Sequence, residues 1–306
     1  MKYLDLYAKF LLRFLKPKVP IRVVFDTSNG STALVLRKIF NKKSVVEAKI
    51  INGKIDGHFP GHGPNPMYPF AKKDLQAAVK AEKADLGVIF DGDGDRAFFI
   101  DDLGRVIYQD DAALLLMESF RTPYVVDAIT GWQIKMNPNL KGKLLESRVG
   151  YVFIRKAMIK ADFGAENSGH YYFKHAFGKT QASFDSGVRA AIEMINKVSV
   201  LKKKGKKLSD WLDELPKYYR SPDDLNFRAR TRSVIEEIQR YAEKIYRPRA
   251  LSISHLDGVT IEAKDFWFNL RGSNTESLLR LKMEAKKENI LKREIKNIKK
   301  IIKKFT

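Results

Sequence analysis

Three carboxylates stand at alternate positions in Asp91-Gly92-Asp93-Gly94-Asp95, and Arg96 follows them. Glycine lets such a loop turn sharply and bring its carboxylates to one point. Crowded carboxylates need a cation to offset their repulsion. Hard oxygen donors suit Mg²⁺, which keeps positions for water or phosphate oxygens. Arg96 could hold a phosphate fork to fork. The plainer reading is a solvated acidic turn. An EF-hand is excluded, because the twelfth position counted from Asp91 is Asp102 and not Glu.

Two further loops offer recognition chemistry. Phe163-Gly164-Ala165-Glu166-Asn167-Ser168-Gly169-His170 puts an acceptor, a donor and a titratable ring on a turn bounded by glycines. That set suits sugar hydroxyls, although a ligand-free polar turn accounts for it as well. Arg271-Gly272-Ser273-Asn274-Thr275 combines a guanidinium, two hydroxyls, an amide and exposed N–H groups. It makes a phosphate cradle or an ordinary hairpin turn.

The elements that must carry these loops follow from apolar spacing. Leu4, Tyr7, Leu11, Phe14 and Leu15 form one helical stripe over residues 3–15, ended by Pro17 and Pro20. Residues 21–26 read as a buried strand, 32–40 as a helix, 45–50 as a strand, 71–83 as a helix and 86–90 as a strand. A loop rich in Gly, His and Pro, 56–66, interrupts them, and Leu103-Gly104 turns a hairpin. This alternation predicts an α/β domain ending near residue 120. Arg121-Thr122-Pro123 reads as a linker. The next block repeats the scheme, with strands at 124–129, 143–149 and Phe163 and helices at 151–161 and 186–204. After a second linker, 216–222, a strand at 225–232, a helix at 234–246, short strands at 251–270 and 278–285 and a tail helix predict an α+β block.

Length alone suggests about two domains; the pattern of elements suggests three. Apolar residues make up 44% and charged residues 30% of the 306, an ordinary globular composition able to bury a core without cross-links. There is no cysteine, which excludes disulfides, thiolate-held metals and cysteine nucleophiles. No apolar run approaches a membrane span, and Asp5, Lys9 and Arg13 interrupt any signal-peptide core, so the expectation is a soluble cytoplasmic protein. The net charge of +21 invites a nucleic-acid reading. Its densest stretch, the tail, spaces Ile290, Leu291, Ile295, Ile298, Ile301 and Ile302 helically, so a helix packed on a sheet with a solvated Lys face is expected. No zinc-finger, RNP or helix-turn-helix spacing supports sequence-specific recognition.

Taken in order, VVFDTSNG, DGHFPGHGPNP, IFDGDGDR, RVGYVFIRKAM, GAENSGH and DGVTIEAKDFWFNLRGSNTES resemble the α-D-phosphohexomutases, the phosphomannomutase and phosphoglucomutase superfamily. The resemblance covers nearly the whole chain. It implies two three-layer α/β/α domains, 1–120 and 121–222, equivalent to the family's second and third, then a smaller α+β domain, 223–306, equivalent to its fourth. It implies Mg²⁺ on Asp91, Asp93 and Asp95, with Arg96 near the transferred phosphoryl. It implies sugar contacts from Glu166, Ser168 and His170. It places the phosphate that is not transferred on Arg271, Ser273, Asn274 and Thr275.

In the family the phosphoryl rides on a serine in a T-A-S-H-N-P-like loop of the first domain. No such stretch occurs here, and Thr27-Ser28-Asn29 is only superficially like it, so no nucleophile is assigned. Tyr151, Arg155, Ala165 and Ser277 also depart from the family pattern. The expected activity is therefore an Mg²⁺-dependent interconversion of hexose 1- and 6-phosphates that needs a phosphoserine domain from another chain. The alternative is a non-catalytic phosphosugar-binding or scaffold protein. Surfaces that would face the first domain are expected to self-associate or to take a partner.

Overall fold

Ile21–Asp26 (β1) buries five of its six residues, as a strand with helices on both faces must. The computed structural model describes residues 2–41, 45–68, 70–177, 179–222, 225–228, 231–273 and 278–305. Val46–Ile51 (β2) and Leu86–Phe90 (β3) flank β1 in parallel. Ala97–Ile100 (β4) and Val106–Ile107 (β5) extend the sheet antiparallel, in the order β2-β1-β3-β4-β5. The helices of this stretch are Lys2–Leu12 (α1), Thr32–Ile39 (α2), Lys73–Ala81 (α3) and Gln109–Met117 (α4). Leu75 and Val79 of α3 pack with Val24, Ile89, Phe98 and Ile100 beneath it. Asp26 stands level with Ile89, so the loops that follow β1 and β3 leave the sheet side by side. Loops at the carboxyl ends of parallel strands are where α/β sheets build their sites.

The second sheet runs Tyr124–Asp127 (β6), Leu144–Ser147 (β7), Phe163–Ala165 (β8), Tyr171–Phe177 (β9) and Thr180–Asp185 (β10). Its order, β10-β9-β8-β6-β7, is the first sheet's order repeated: the second strand at one edge, then the first, third, fourth and fifth. Again the first and third strands are parallel, and the fourth and fifth fold back antiparallel. Its helices are Trp132–Lys135 (α5), Tyr151–Ala157 (α6) and Gly187–Lys203 (α7), followed by Leu208–Asp213 (α8). Ser186 caps α7 by accepting from the Arg189 N–H.

The third sheet is antiparallel: Tyr219–Arg220 (β11), Asn226–Arg228 (β12), Ala250–Ser254 (β13), Val259–Ala263 (β14), Phe266–Gly272 (β15) and Leu278–Ala285 (β16). Arg232–Tyr246 (α9) and Glu288–Ile302 (α10) pack against it, contributing Ile235, Ile238, Leu291 and Ile298 to one core. Lys292, Lys296, Lys299 and Lys300 of α10 stay exposed, the amphipathic arrangement expected of the tail.

Several expectations need correction. The stretch 216–222 is not a plain linker: β11 lies within it and pairs with β16. The strand expected over 225–232 is β12 alone, and Thr231 caps α9 by accepting from the Val234 N–H. The first helix stops at Leu12, not residue 15. The β9–β10 hairpin and the short α5 and α8 were not foreseen. By contacts the chain gathers into two units, Met1–Val126 with Gly142–Leu145 and Arg155–Leu215, and Asp127–Lys141 with Glu146–Ile154 and Pro216–Thr306. Among the described residues, no helix is long and apolar enough to cross a membrane.

In the first unit α1 docks on the β9–β10 hairpin through aromatic rings. Phe10 stacks on Phe177 with centroids 5.5 Å apart and tilts against His175 at 5.1 Å. His175 stacks on Phe184 at 4.4 Å, and its Nε2 is buried without a hydrogen-bond partner. Burial, with Arg189 and Arg13 nearby, pushes this imidazole down to about 4. The unfolded chain therefore takes up a proton near pH 6.5 that the native protein refuses until about pH 4. Stability from this group is present above pH 6.5 and falls as pH drops below it, by about 2 kcal/mol at pH 5. Chemical denaturation from pH 7.5 to 4.5 is expected to show that slope, and His175→Phe to flatten it. An unchanged slope in the variant would refute the assignment.

Candidate metal and sugar-phosphate site

Strand β3 ends at Phe90, and the acidic loop begins with the next residue. Asp91 Oδ1 accepts from the N–H groups of Gly94 and Arg96 at 3.0 and 3.2 Å, and its Oδ2 accepts from Arg96 Nε at 2.6 Å. Carboxylate oxygens of Asp91, Asp93 and Asp95 lie within 4.8 Å of one another. Asp91 is 3% exposed, whereas Asp93 faces solvent. Burial raises the Asp91 carboxyl to about 6, partly opposed by Arg96. Asp95 Oδ1 is buried and accepts no hydrogen bond. A converging set of hard oxygen donors, one buried at a cost to its charge and one without a hydrogen bond of normal length, fits a divalent cation such as Mg²⁺.

The loop's shape is held from behind. Ser28 and Asn29 follow β1 with left-handed backbones, φ 48° and 56°. They aim Gly30 at the acidic loop, where Ser31 N–H donates to the Gly92 carbonyl at 3.2 Å. A side chain at Gly30 would strike that same carbonyl. Gly94 (φ 83°) lies on Thr32 equally closely. Asp26, fully buried at the end of β1, accepts from the Ser28 N–H and from Asn52 Nδ2, both at 2.9 Å, and meets His62 Nε2 at 3.1 Å. The bond to Asp26 holds the His62 imidazole above its ordinary value against burial. Pro64 accepts from the Gly92 N–H, and Asn65 Oδ1 accepts from an Arg96 Nη at 3.3 Å. The Gly-, His- and Pro-rich loop is thus scaffolding for the acidic loop. Sequence reasoning noted it without a role; an acid at a strand end and histidines in a glycine loop were the available signal.

The structure brings the second loop to the first. Arg96 and His170 form an isolated antiparallel bridge, Ala97 N–H donates to the Gly169 carbonyl at 3.1 Å, and Gly187 N–H donates to the Gly94 carbonyl at 3.1 Å. His170 Nε2 lies 3.5 Å from Asp95 Oδ1, and its Nδ1 lies 2.7 Å from Ser168 Oγ. Glu166 is 5% exposed; its Oε2 accepts from Tyr172 Oη at 2.6 Å and lies 3.6 Å from His170 Nδ1. Burial opposes charge on His170, but Asp95, Glu166 and Asp185 outweigh it and hold the imidazole above its ordinary value. The His170 contact keeps Asp95 ionised to lower pH. His170, expected among the sugar contacts, therefore sits between the two loops and braces Asp95. Sequence reasoning missed Tyr172 and Asp185.

The third loop belongs to the second unit. Arg271, 8% exposed, stands opposite Arg280 on β16, and an Arg280 Nη donates to Ser273 Oγ at 3.3 Å. A cavity of about 270 Å³ opens beside it, lined by Arg148, Arg232, Gln239, Asp257, Gly258 and Ser273. Asp257 Oδ2 accepts from the Val149 N–H at 3.0 Å, and Arg148 Nε lies 4.0 Å from Oδ1. This cationic cavity can take an anion. Asn274 and Thr275 lie outside the described residues.

Two α/β sheets of one repeated order followed by an antiparallel α+β block define the class of fold. Family models for phosphoglucomutase/phosphomannomutase match residues 2–104 (alpha/beta/alpha domain II), 133–219 (alpha/beta/alpha domain III) and 204–301 (C-terminal domain). The chain belongs to this phosphohexomutase superfamily. It is 34% identical to a phosphomannomutase of Methanocaldococcus jannaschii, over 98% of this chain and 65% of that protein. It is 32% identical to a phosphoglucomutase/phosphomannomutase of Thermococcus kodakarensis, over 87% of this chain and 57% of that protein. A phosphoglucomutase/phosphomannomutase family structure from Burkholderia thailandensis superposes with a TM-score of 0.82 at 24% identity, covering 99% of this chain and 64% of that one. An Aspergillus fumigatus N-acetylphosphoglucosamine mutase, solved with GlcNAc-6P and magnesium, superposes with a TM-score of 0.58 at 15% identity, covering 99% of this chain and 65% of that one. The chain thus spans at most about two thirds of these relatives' length, 65% for the first.

Proposed function

We propose that this chain forms the metal-, sugar- and phosphate-binding part of an enzyme that interconverts hexose 1- and 6-phosphates. The meeting of the acidic loop with the Glu166–His170 loop in one compact unit carries the reading. Asp91, Asp93 and Asp95 would hold Mg²⁺, which when bound offsets the negative charge of phosphoryl oxygens. Arg96, oriented by Asp91 and Asn65, presents its remaining N–H groups to the transferred phosphoryl. Ser168 and Glu166 read sugar hydroxyls, and His170 keeps Asp95 ionised. Arg271, Ser273, Asn274 and Thr275 hold the phosphate that stays. The phosphoryl-carrying serine comes from a domain outside these 306 residues, and the three domains 1–120, 121–222 and 223–306 supply the rest.

Calorimetric titration with glucose 1,6-bisphosphate and Mg²⁺ tests this reading. Binding is expected, and Arg271→Ala is expected to weaken it about 10- to 100-fold, the loss of a charged hydrogen-bond partner. Addition of a separately produced phosphoserine domain is expected to restore turnover. Absence of bisphosphate binding under both conditions would overturn the proposal; binding without turnover would favour a phosphosugar-binding protein.

A further inference from the structure

Asp91 follows the carboxyl end of strand β3 and Asp85 precedes its amino end, so the two lie about 20 Å apart along the strand. At the amino end a cavity of about 660 Å³ opens among three segments far apart in sequence: the turn after α3, the β4–β5 turn, and the end of α7 with the turn into α8. Each of the two helical segments brings cations, Lys80 and Lys83 from the first and Lys202, Lys206 and Lys207 from the second. The two carboxylates in the wall are already engaged. Asp85 Oδ2 accepts from the Arg22 N–H and from Lys202 Nζ, both at 2.8 Å. Asp102 accepts from the N–H and hydroxyl of Ser209 at 2.9 and 3.0 Å, and its Oδ2 lies 3.9 Å from Lys207 Nζ. Lys206 pairs with Glu214. Lys80 and Lys83 have no ion-pair partner among the described residues. Lys83 also holds a left-handed backbone, φ 49°, where glycine or asparagine is the easier occupant. The floor is apolar: Ala84, Val198 and Leu208 are buried there, and Leu103 is half-exposed.

We propose that this cavity is a second ligand site, for an organic polyphosphate of nucleotide size. Lysine ammoniums bind phosphates as point charges, and several of them around one cavity suit a ligand that carries several phosphates. The apolar floor accepts a ring body, and the volume falls in the range of small-molecule pockets. The site lies at the other end of β3 from the acidic loop, so its occupant touches none of the residues assigned to the phosphosugar.

Calorimetry on the whole chain with EDTA present, using ATP, tripolyphosphate and adenosine separately, tests the proposal. ATP is expected to bind at least about 10-fold more tightly than either fragment. The double variant Lys80→Glu/Lys83→Glu is expected to lose about 10-fold or more in ATP affinity. Lys296→Glu/Lys299→Glu on α10, the same change of charge elsewhere, is expected to leave it within about 2-fold. Equal weakening by the two double variants would mean a diffuse basic surface and overturn the proposal. So would loss of ATP binding in Arg271→Ala, equal affinity for tripolyphosphate, or no ATP binding at all.

Discussion

Asp93→Asn is expected to weaken Mg²⁺ binding by about 100-fold or more while moving the metal-free unfolding midpoint by no more than about 2 °C. Partners that merely orient a metal ligand are worth about 10- to 100-fold in affinity, and a direct ligand is worth at least that. Asp93 is exposed, and among the described residues no backbone N–H donates to it, so the fold should not register its loss. Asp91→Asn is the informative contrast. Asp91 receives three N–H groups, two from the backbone and one from Arg96. An amide there turns a donor toward at least one of them and leaves the guanidinium without its counter-charge. A stability loss of about 2 kcal/mol is expected alongside the loss of Mg²⁺. Calorimetry with Mg²⁺ and thermal unfolding separate the two effects. If Asp93→Asn binds Mg²⁺ as the parent does, the acidic loop is not the cation site.

Gly30→Ala is expected to destabilise the first unit by about 3 kcal/mol and to weaken Mg²⁺ binding although Gly30 touches no carboxylate. The reason is space and not backbone freedom, since the φ of Gly30 is outside the left-handed region. The added methyl would meet the Gly92 carbonyl, which is backbone and cannot swing aside. The turns after β1 and β3 must then separate, breaking the Ser31–Gly92 hydrogen bond and displacing Asp91 and Asp93. Denaturant titration gives the stability and Mg²⁺ calorimetry the coupling. A variant with parental stability would show that the two turns have room to part.

The acidic loop was legible because its chemistry is local: alternating Asp and Gly after a run of buried β-formers needs no partner to be recognised. Strand β3 and strand β16 were read with correct bounds because their patterns are local too: β3 is a short apolar run, and β16 alternates apolar residues with Arg280, Lys282 and Glu284. The β9–β10 hairpin was missed although Tyr171, Phe173 and His175 alternate on its buried face. Its second strand is too polar to announce itself, and it forms by pairing with the first. Strand β11, with only Tyr219 and Arg220, exists because β16 has a free edge there. The meeting of Arg96 with His170, 74 positions later, was beyond reach of any local pattern. So was the burial of Glu166 against Tyr172, which turns a residue that looked like a free sugar contact into a partly occupied one.

The repeated strand order makes the two loops structural counterparts. The acidic loop joins the third strand of its sheet to the fourth, and the Glu166–His170 loop does the same in the other sheet. Arg96 and His170 are each the residue just before that fourth strand, and they pair with each other. The helices after the two fifth strands, α4 and α7, also pack together. Contact between equivalent positions is what a local two-fold axis produces, as in an isologous dimer. The two loops therefore occupy equivalent places in two sheets of the same order and lean on each other at matching positions, so a shift in one turn is passed directly to its counterpart.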